Sequence, residues 1–387
     1  MQISFVDMVG DEAVFAAEHF GRAPLLRRAA LAEPQQLFSI SDADKLLRND
    51  SLRLPYLSLR KDGQTILPEA FARQIDVQGS TVVDAVDPEL VYKLFHSGAT
   101  VVWNCLNHYH HDMRQLAAAV GRVFATEGDA VAFLTGLGRS NTPIHHDEVD
   151  VYVIQVEGAR RWRVWPRRGS GRKYRYEVES LGDPLLDVVL NPGDVLYVPN
   201  NTPHAVDSEE QVSLHVSVTV RPRRWDDLLR STVDRLLADE TFVEFPWLDG
   251  QRNPEVLPTL AERIGLLAQR LTALDAGAEL GELIQVGAPE GSGGDSFTAA
   301  VSVETMSPST VVRRTSLPVT FAETEERVEA RIGDRKIAMP HVIADTLRQL
   351  SPSDEAAAGM LFTGVEEDRS VRLTKDFVRL GVFAIAG

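Results

Sequence analysis

The stretch PIHHDEVDVYVIQVEGARRWRVW, residues 143–165, decides the reading of this chain. Asp150–Val156 and Arg161–Trp165 are β-branched and aromatic runs separated by a turn at Gly158, the pattern of two strands. Side chains alternate along an extended chain, so His145 and Asp147 project to one face and His146 to the other. One imidazole and one carboxylate on a face make two ligands for a divalent metal, and a third must come from another strand. The same alternation sets Arg161 and Arg163 on one face and Arg160 on the other. Spacing leaves open which set points inward.

The third ligand is supplied by NPGDVLYVPNNTPHAVDS, residues 191–208. An apolar strand, Val195–Val198, runs into a turn that presents His204. Pro199, Asn201 and His204 occupy the places of Pro, Gly and His in the second cupin motif. Asn is the residue other than Gly that best tolerates a left-handed backbone, so the exchange preserves the turn. Two His and one carboxylate leave coordination positions open, as Fe(II) oxygenases require for cosubstrate and O₂; the same donors also suit Zn, Mn or Ni.

Around these motifs, Val131–Thr135, Asp150–Val156, Arg161–Trp165, Asp187–Leu190, Val195–Val198 and Ser213–Val220 read as strands separated by Gly, Pro and Asn turns, which predicts an antiparallel barrel or sandwich. Val131, Phe133, Tyr152 and Ile154 are candidate barrel-lining residues, with core packing the commoner role for any one of them. Upstream, Asp11–Leu26 and Ser41–Asp50 carry apolar residues at helical spacing. His108, His110 and His111, in NHYHHD, lack a carboxylate at strand spacing and read as a helix entry or surface feature.

Downstream of Arg221, two apolar stripes at helical spacing run from Trp225 to Leu237 and from Leu257 to Leu274. They need a helical subdomain or a dimer interface to cover them. Val286–Ser296 is rich in Gly, Ser and Pro and reads as a linker or mobile loop. Beyond it, strands near Arg327–Ile332 and Lys336–Ala338 and helices near Ile343–Leu350 and Leu373–Leu380 suggest a winged-helix-like α/β module. Residues 301–387 hold 11 Lys and Arg against 13 Asp and Glu, without the positive excess of a DNA-reading wing.

The 387 residues are 44% hydrophobic, enough for a substantial core and one or two appended modules. Lys and Arg number 40 against 56 Asp and Glu, a net charge of −16, which argues against broad binding to nucleic acid or anionic membranes. Cys105 is the single cysteine, so neither an intrachain disulfide nor a cysteine-rich metal site is expected. No stretch has the length and apolarity of a membrane span, and a cytoplasmic protein is expected.

PIHHDEVDVYVIQVEGARRWRVW and LNPGDVLYVPNNTPHAVD resemble the JmjC-type ribosomal oxygenases. HFGRAPLLRRA (19–29) and FHSGATVVWN (95–104) add weaker likeness. The resemblance implies a mainly β core with helices, a double-stranded β-helix (the cupin or JmjC barrel). It further implies a catalytic domain over 1–220, a helical dimerisation region over 221–285 and a winged-helix-like module over 297–387. It makes His145, Asp147 and His204 the Fe(II) ligands and Arg160 the partner of the distal carboxylate of 2-oxoglutarate. His215 and Thr219 become cosubstrate-facing polar positions. The activity implied is 2-oxoglutarate-dependent hydroxylation of a protein or peptide side chain by a homodimer, His or Arg of a ribosomal protein in the family. Val131 and Phe133 stand where some relatives carry Asn and Tyr. Three other readings are a hydroxylase of natural-product precursor peptides, an oxygenase of small amino-acid-like molecules, and a non-catalytic metal-binding cupin that docks a peptide.

Overall fold

A computed structural model of the chain describes residues 3–137, 141–168, 181–209, 211–246, 248, 252–287, 297–315, 317, 319–323, 327–332, 335–351 and 354–386. The chain forms two compact units, Met1–Asp275 and Ala276–Gly387. The strands of the first unit are β1 (Leu25–Arg27), β2 (Leu57–Lys61), β3 (Gln64–Thr65), β4 (Ala72–Val77), β5 (Ser80–Val86), β6 (Thr100–Trp103) and β7 (Gly128–Thr135). They continue with β8 (Thr142–His145), β9 (Asp150–Glu157), β10 (Arg160–Val164), β11 (Leu186–Leu190), β12 (Val195–Val198), β13 (His204–Ser208) and β14 (Ser213–Val220).

An eight-stranded sheet in the order β1-β12-β9-β14-β7-β6-β2-β3 faces a four-stranded sheet in the order β11-β10-β13-β8, and β4 pairs with β5 apart from them. From β7 to β14 the chain passes repeatedly between the two main sheets, which is the double-stranded β-helix that the resemblance implies. One crossing is at Gly158, whose φ is +64° and where a Cβ would lie 1.9 Å from the Val212 carbonyl oxygen. Only glycine fits that backbone and that approach.

Strand β9 is buried on both faces, because one side meets the opposing sheet and the other is covered by the N-terminal segment. Val151 and Val153 pack with Trp162, Val164, Leu196 and Val206 between the sheets. Tyr152 and Ile154 fall on the outer side, in the core shared with Phe5, Phe15 and Tyr197. Tyr152 and Ile154 thus take the core-packing role, the commoner of the two expected for them, and do not line the barrel. In a strand without a polar face, sequence alternation does not reveal which side is which.

Ser39 caps the helix Ile40–Leu47 in a capping box with Asp42, as the expected second helix requires. The expected helix over 11–26 is broken. Glu12–Val14 is helical and Phe15–His19 is a π-helical turn. Gly21 then turns with φ +64°, and Leu25–Arg27 becomes β1, pairing Leu25 with Tyr197. Pro24 lacks the N–H that a continuing helix needs.

Helices Trp225–Leu237 and Val256–Thr272 complete this unit, with Trp225, Leu229, Leu257 and Ile264 exposed in this single chain. The second unit holds two three-stranded antiparallel sheets. Its helices include Ala276–Gly287, His341–Gln349 and Glu367–Arg379, and its core is built on Val328, Ile332, Ile343, Leu347, Phe362 and Phe377. Strands Val328–Ile332 and Arg335–Met339 lie where expected. Of the expected linker, Val286 and Gly287 end a helix, and 288–296 lie outside the described residues. Among the described residues no helix is long and apolar enough to cross a membrane.

Candidate metal centre

His145 ends β8 and His204 begins β13, and the two are direct partners in the antiparallel register. Their ring centroids are 4.3 Å apart. Asp147 follows two residues after β8, and its Oδ2 lies 3.5 Å from His204 Nε2. One donor atom from each of the three residues falls within 4.8 Å of the others. His146, 2% exposed, does not line the cavity, in keeping with alternation at this strand end.

His145 Nδ1 lies 2.9 Å from the Pro143 carbonyl and His204 Nδ1 lies 3.0 Å from the Thr202 carbonyl. A carbonyl accepts only, so each neutral ring carries its proton on Nδ1 and keeps a lone pair on Nε2. Burial, and next the neighbouring His145, push the His204 pKa down to about 4. The neutral imidazole is the form that binds a metal.

The turn behind His204 is built by local chemistry. Asn201 takes φ +56°, the left-handed conformation that motivated its equivalence to Gly. Its backbone N–H donates to the Asp147 carbonyl at 2.7 Å. The carboxylate of Asp150 accepts from the backbone N–H and side-chain amide of Asn200 at 2.8 and 2.7 Å, and from the Tyr197 hydroxyl at 2.8 Å. Burial raises the Asp150 pKa, and those three donors work against the rise.

A cavity of about 240 Å³ opens over the three donors. Arg160, 2% exposed, lines it from β10 and donates to the Thr135 hydroxyl, which in turn lies 3.0 Å from the Thr100 hydroxyl. Burial lowers the Arg160 pKa to about 10, so it stays cationic at neutral pH. Arg161 and Arg163 face outward and pair with Asp187 and Asp207, each at 2.7 Å. Alternation along β10 divides the three arginines as expected, and burial identifies Arg160 as the inward member.

His215, on β14, stacks on Phe133 with centroids 4.7 Å apart and meets Trp162 edge-on. Its Nδ1 is buried and has no hydrogen-bond partner among the described residues. Burial, then the nearby Arg160 charge, push its pKa well below the usual value, so the ring is neutral. Thr219 lines the cavity farther along the same strand, as do Val131 and Phe133 from β7. Ser217 lies between His215 and Thr219 on that face, and the i, i+2 spacing that picked out its neighbours also marks it. Thr100 and Thr135 are brought together by the pairing of β6 with β7, which carries no local sequence signal.

Fold and site together define a JmjC-type cupin protein, and the JmjC domain profile matches residues 105–228. The chain is similar to proteins that include ribosomal oxygenases. It is 35% identical over 140 residues to the bifunctional lysine-specific demethylase and histidyl-hydroxylase NO66 of Drosophila yakuba, a match covering 34% of this chain and 20% of that protein. It is 28% identical over 246 residues to ribosomal oxygenase 1 of Rattus norvegicus, covering 59% and 39%. The matches thus span less than half of these relatives. Among solved structures, YcfD, a ribosomal oxygenase from Escherichia coli in complex with cobalt and 2-oxoglutarate, shares the fold. Its TM-score is 0.59 at 16% identity, covering 98% of this chain and 99% of that one.

Proposed function

We propose that this chain is an Fe(II)- and 2-oxoglutarate-dependent oxygenase that hydroxylates a side chain of a protein or peptide. The observation that carries the reading is the convergence of His145 Nε2, His204 Nε2 and the Asp147 carboxylate on a cavity that also holds the buried cation Arg160. Two imidazoles with fixed tautomers and one carboxylate fit iron and leave positions open. Iron with 2-oxoglutarate and O₂ would oxidise a C–H bond, one oxygen atom entering the product as hydroxyl and the other succinate, with release of CO₂.

The chain's own residues hold and orient. Val164 pairs with His204, and Arg160 lies four residues farther along β10, about 13 Å at 3.3 Å per residue. That span accommodates a metal-bound five-carbon dicarboxylate with its distal end on the Arg160 fork. His215 and Thr219, which line the same cavity, would face that cosubstrate. Phe133, Val151, Trp162 and Val206 keep the cavity wall apolar and exclude water from the reacting centre.

The relatives' naming as ribosomal oxygenases supports a ribosomal protein as substrate, and the naming of NO66 as a histidyl-hydroxylase supports His as the residue modified, with Arg the other choice the resemblance implies. In this reading 1–220 is the catalytic domain. The exposed apolar stripes of 221–285 serve a homodimer interface, and 297–387 is a winged-helix-like module for protein docking.

The test is anaerobic loading with Fe(II) and 2-oxoglutarate, which is expected to give a weak visible charge-transfer band that His145→Ala and Asp147→Ala abolish. Mass spectrometry of candidate peptides and ribosomal proteins should then show a gain of one oxygen atom. A wild-type protein replete with iron and silent in the visible would overturn the enzyme reading in favour of a non-catalytic cupin.

A further inference from the structure

A second group of metal-binding side chains lies at the rim of the barrel. Cys105, His108 and Asp129 each place one donor atom within 4.8 Å of the others. Cys105 and His108 flank a single 3₁₀ turn, Leu106–His108, with Cys105 as its N-cap. Cys105 takes φ +46°, a left-handed conformation, at the start of that turn. Asp129 comes from β7.

The turn and β7 are fastened on both sides of Asp129. The Asn107 amide donates to the Gly128 carbonyl at 3.3 Å, and its oxygen accepts from the Ala130 backbone N–H at 2.9 Å. Arg114 donates to the Asn107 and His108 carbonyls at 3.0 and 2.5 Å. The frame that presents the three donors is thus held by hydrogen bonds independent of any metal. Donors around a tetrahedral zinc at about 2.0–2.3 Å sit roughly 3.3–3.8 Å apart, and the three donor atoms already lie within 4.8 Å of one another.

We propose that Cys105, His108 and Asp129 form a second metal site, for a thiophilic divalent cation of the zinc class. One thiolate, one imidazole and one carboxylate are a zinc donor set with a fourth position open. The partly buried Cys105 thiol has its pKa raised by burial and by the Asp129 charge, and a cation between them removes that conflict. Asp129 pairs in register with Thr219, which lines the cavity, so it belongs to the cavity face of β7. Val131 follows on that face about 7 Å along the strand, and the bound metal would stiffen the mouth of the barrel.

Sulfur separates this site from the first, so the test is independent of the reading given there. Metal-free protein is titrated anaerobically with Co(II). The expected result is two equivalents bound, with a near-ultraviolet thiolate-to-cobalt band. Cys105→Ser should lose that band and one equivalent, whereas His145→Ala should keep the band and lose the other equivalent. His108→Gln and Asp129→Asn, both at exposed positions, should weaken cobalt at the thiolate site tenfold or more while circular dichroism stays unchanged. Absence of the thiolate band in saturated wild type would overturn the proposal. So would a band whose cobalt affinity is unchanged in both His108→Gln and Asp129→Asn, since Cys105 would then be binding alone.

Discussion

The backbone N–H of Asn201 donates to the carbonyl of Asp147 at 2.7 Å, so the turn that delivers His204 is tied to the residue that delivers the carboxylate. The bond depends on Asn201 holding φ +56°. A β-branched residue there would cost about 1–2 kcal/mol, and any relaxation would move His204 relative to Asp147. Asn201→Gly is expected to keep metal affinity within about threefold. Asn201→Val should lower stability by about 1–2 kcal/mol and weaken the metal by about tenfold, an energy of about 1.4 kcal/mol. Denaturant melts and Co(II) titrations in the Cys105→Ser background report both.

Arg160 makes the sharpest claim about the cosubstrate. A charge-assisted contact of about 1.5–3 kcal/mol corresponds to a loss of roughly ten- to a hundredfold in 2-oxoglutarate affinity on Arg160→Ala. Iron affinity should be unchanged, because Arg160 is not among the three donors. Arg160→Lys should recover part of the loss by restoring the charge without the fork. Calorimetric titration of the metal-loaded variants decides it, and equal 2-oxoglutarate affinity in wild type and Arg160→Ala would remove the role.

Local signals made part of this site readable from the chain. The His145 and Asp147 spacing and the Pro199–Asn201–His204 turn are each decided within a few residues, and the structure gathers those side chains. Arg160 was half legible: alternation separated it from Arg161 and Arg163, and its companions on the inward face, the buried Trp162 and Val164, carried the missing half. β9 stayed ambiguous because both of its faces are apolar, so alternation does not separate Tyr152 and Ile154, which pack in the core, from Val151, which lines the cavity. Thr135, which holds Arg160, and Asp129, which completes the Cys105 cluster, depend on pairing between distant segments. The broken N-terminal helix shows a related effect, since Leu25 fits helical spacing but its pairing with Tyr197 prevails.

His215 predicts an acid sensitivity whose sign follows from its burial. Its folded pKa lies well below 6.5, so below pH 6.5 the unfolded chain takes up a proton that the native chain excludes. Its contribution to stability is complete above about pH 6.5 and declines as pH falls toward the depressed folded value. One such proton is worth up to about 1.4 kcal/mol per pH unit. His215→Phe keeps an aromatic ring against Phe133 and removes the titration. Between pH 6 and pH 5, metal-free wild type should lose about 1 kcal/mol more stability than His215→Phe in urea melts. His204, also depressed, titrates in both proteins and cancels in the difference. Parallel losses in the two proteins would mean that His215 is already protonated in the folded state.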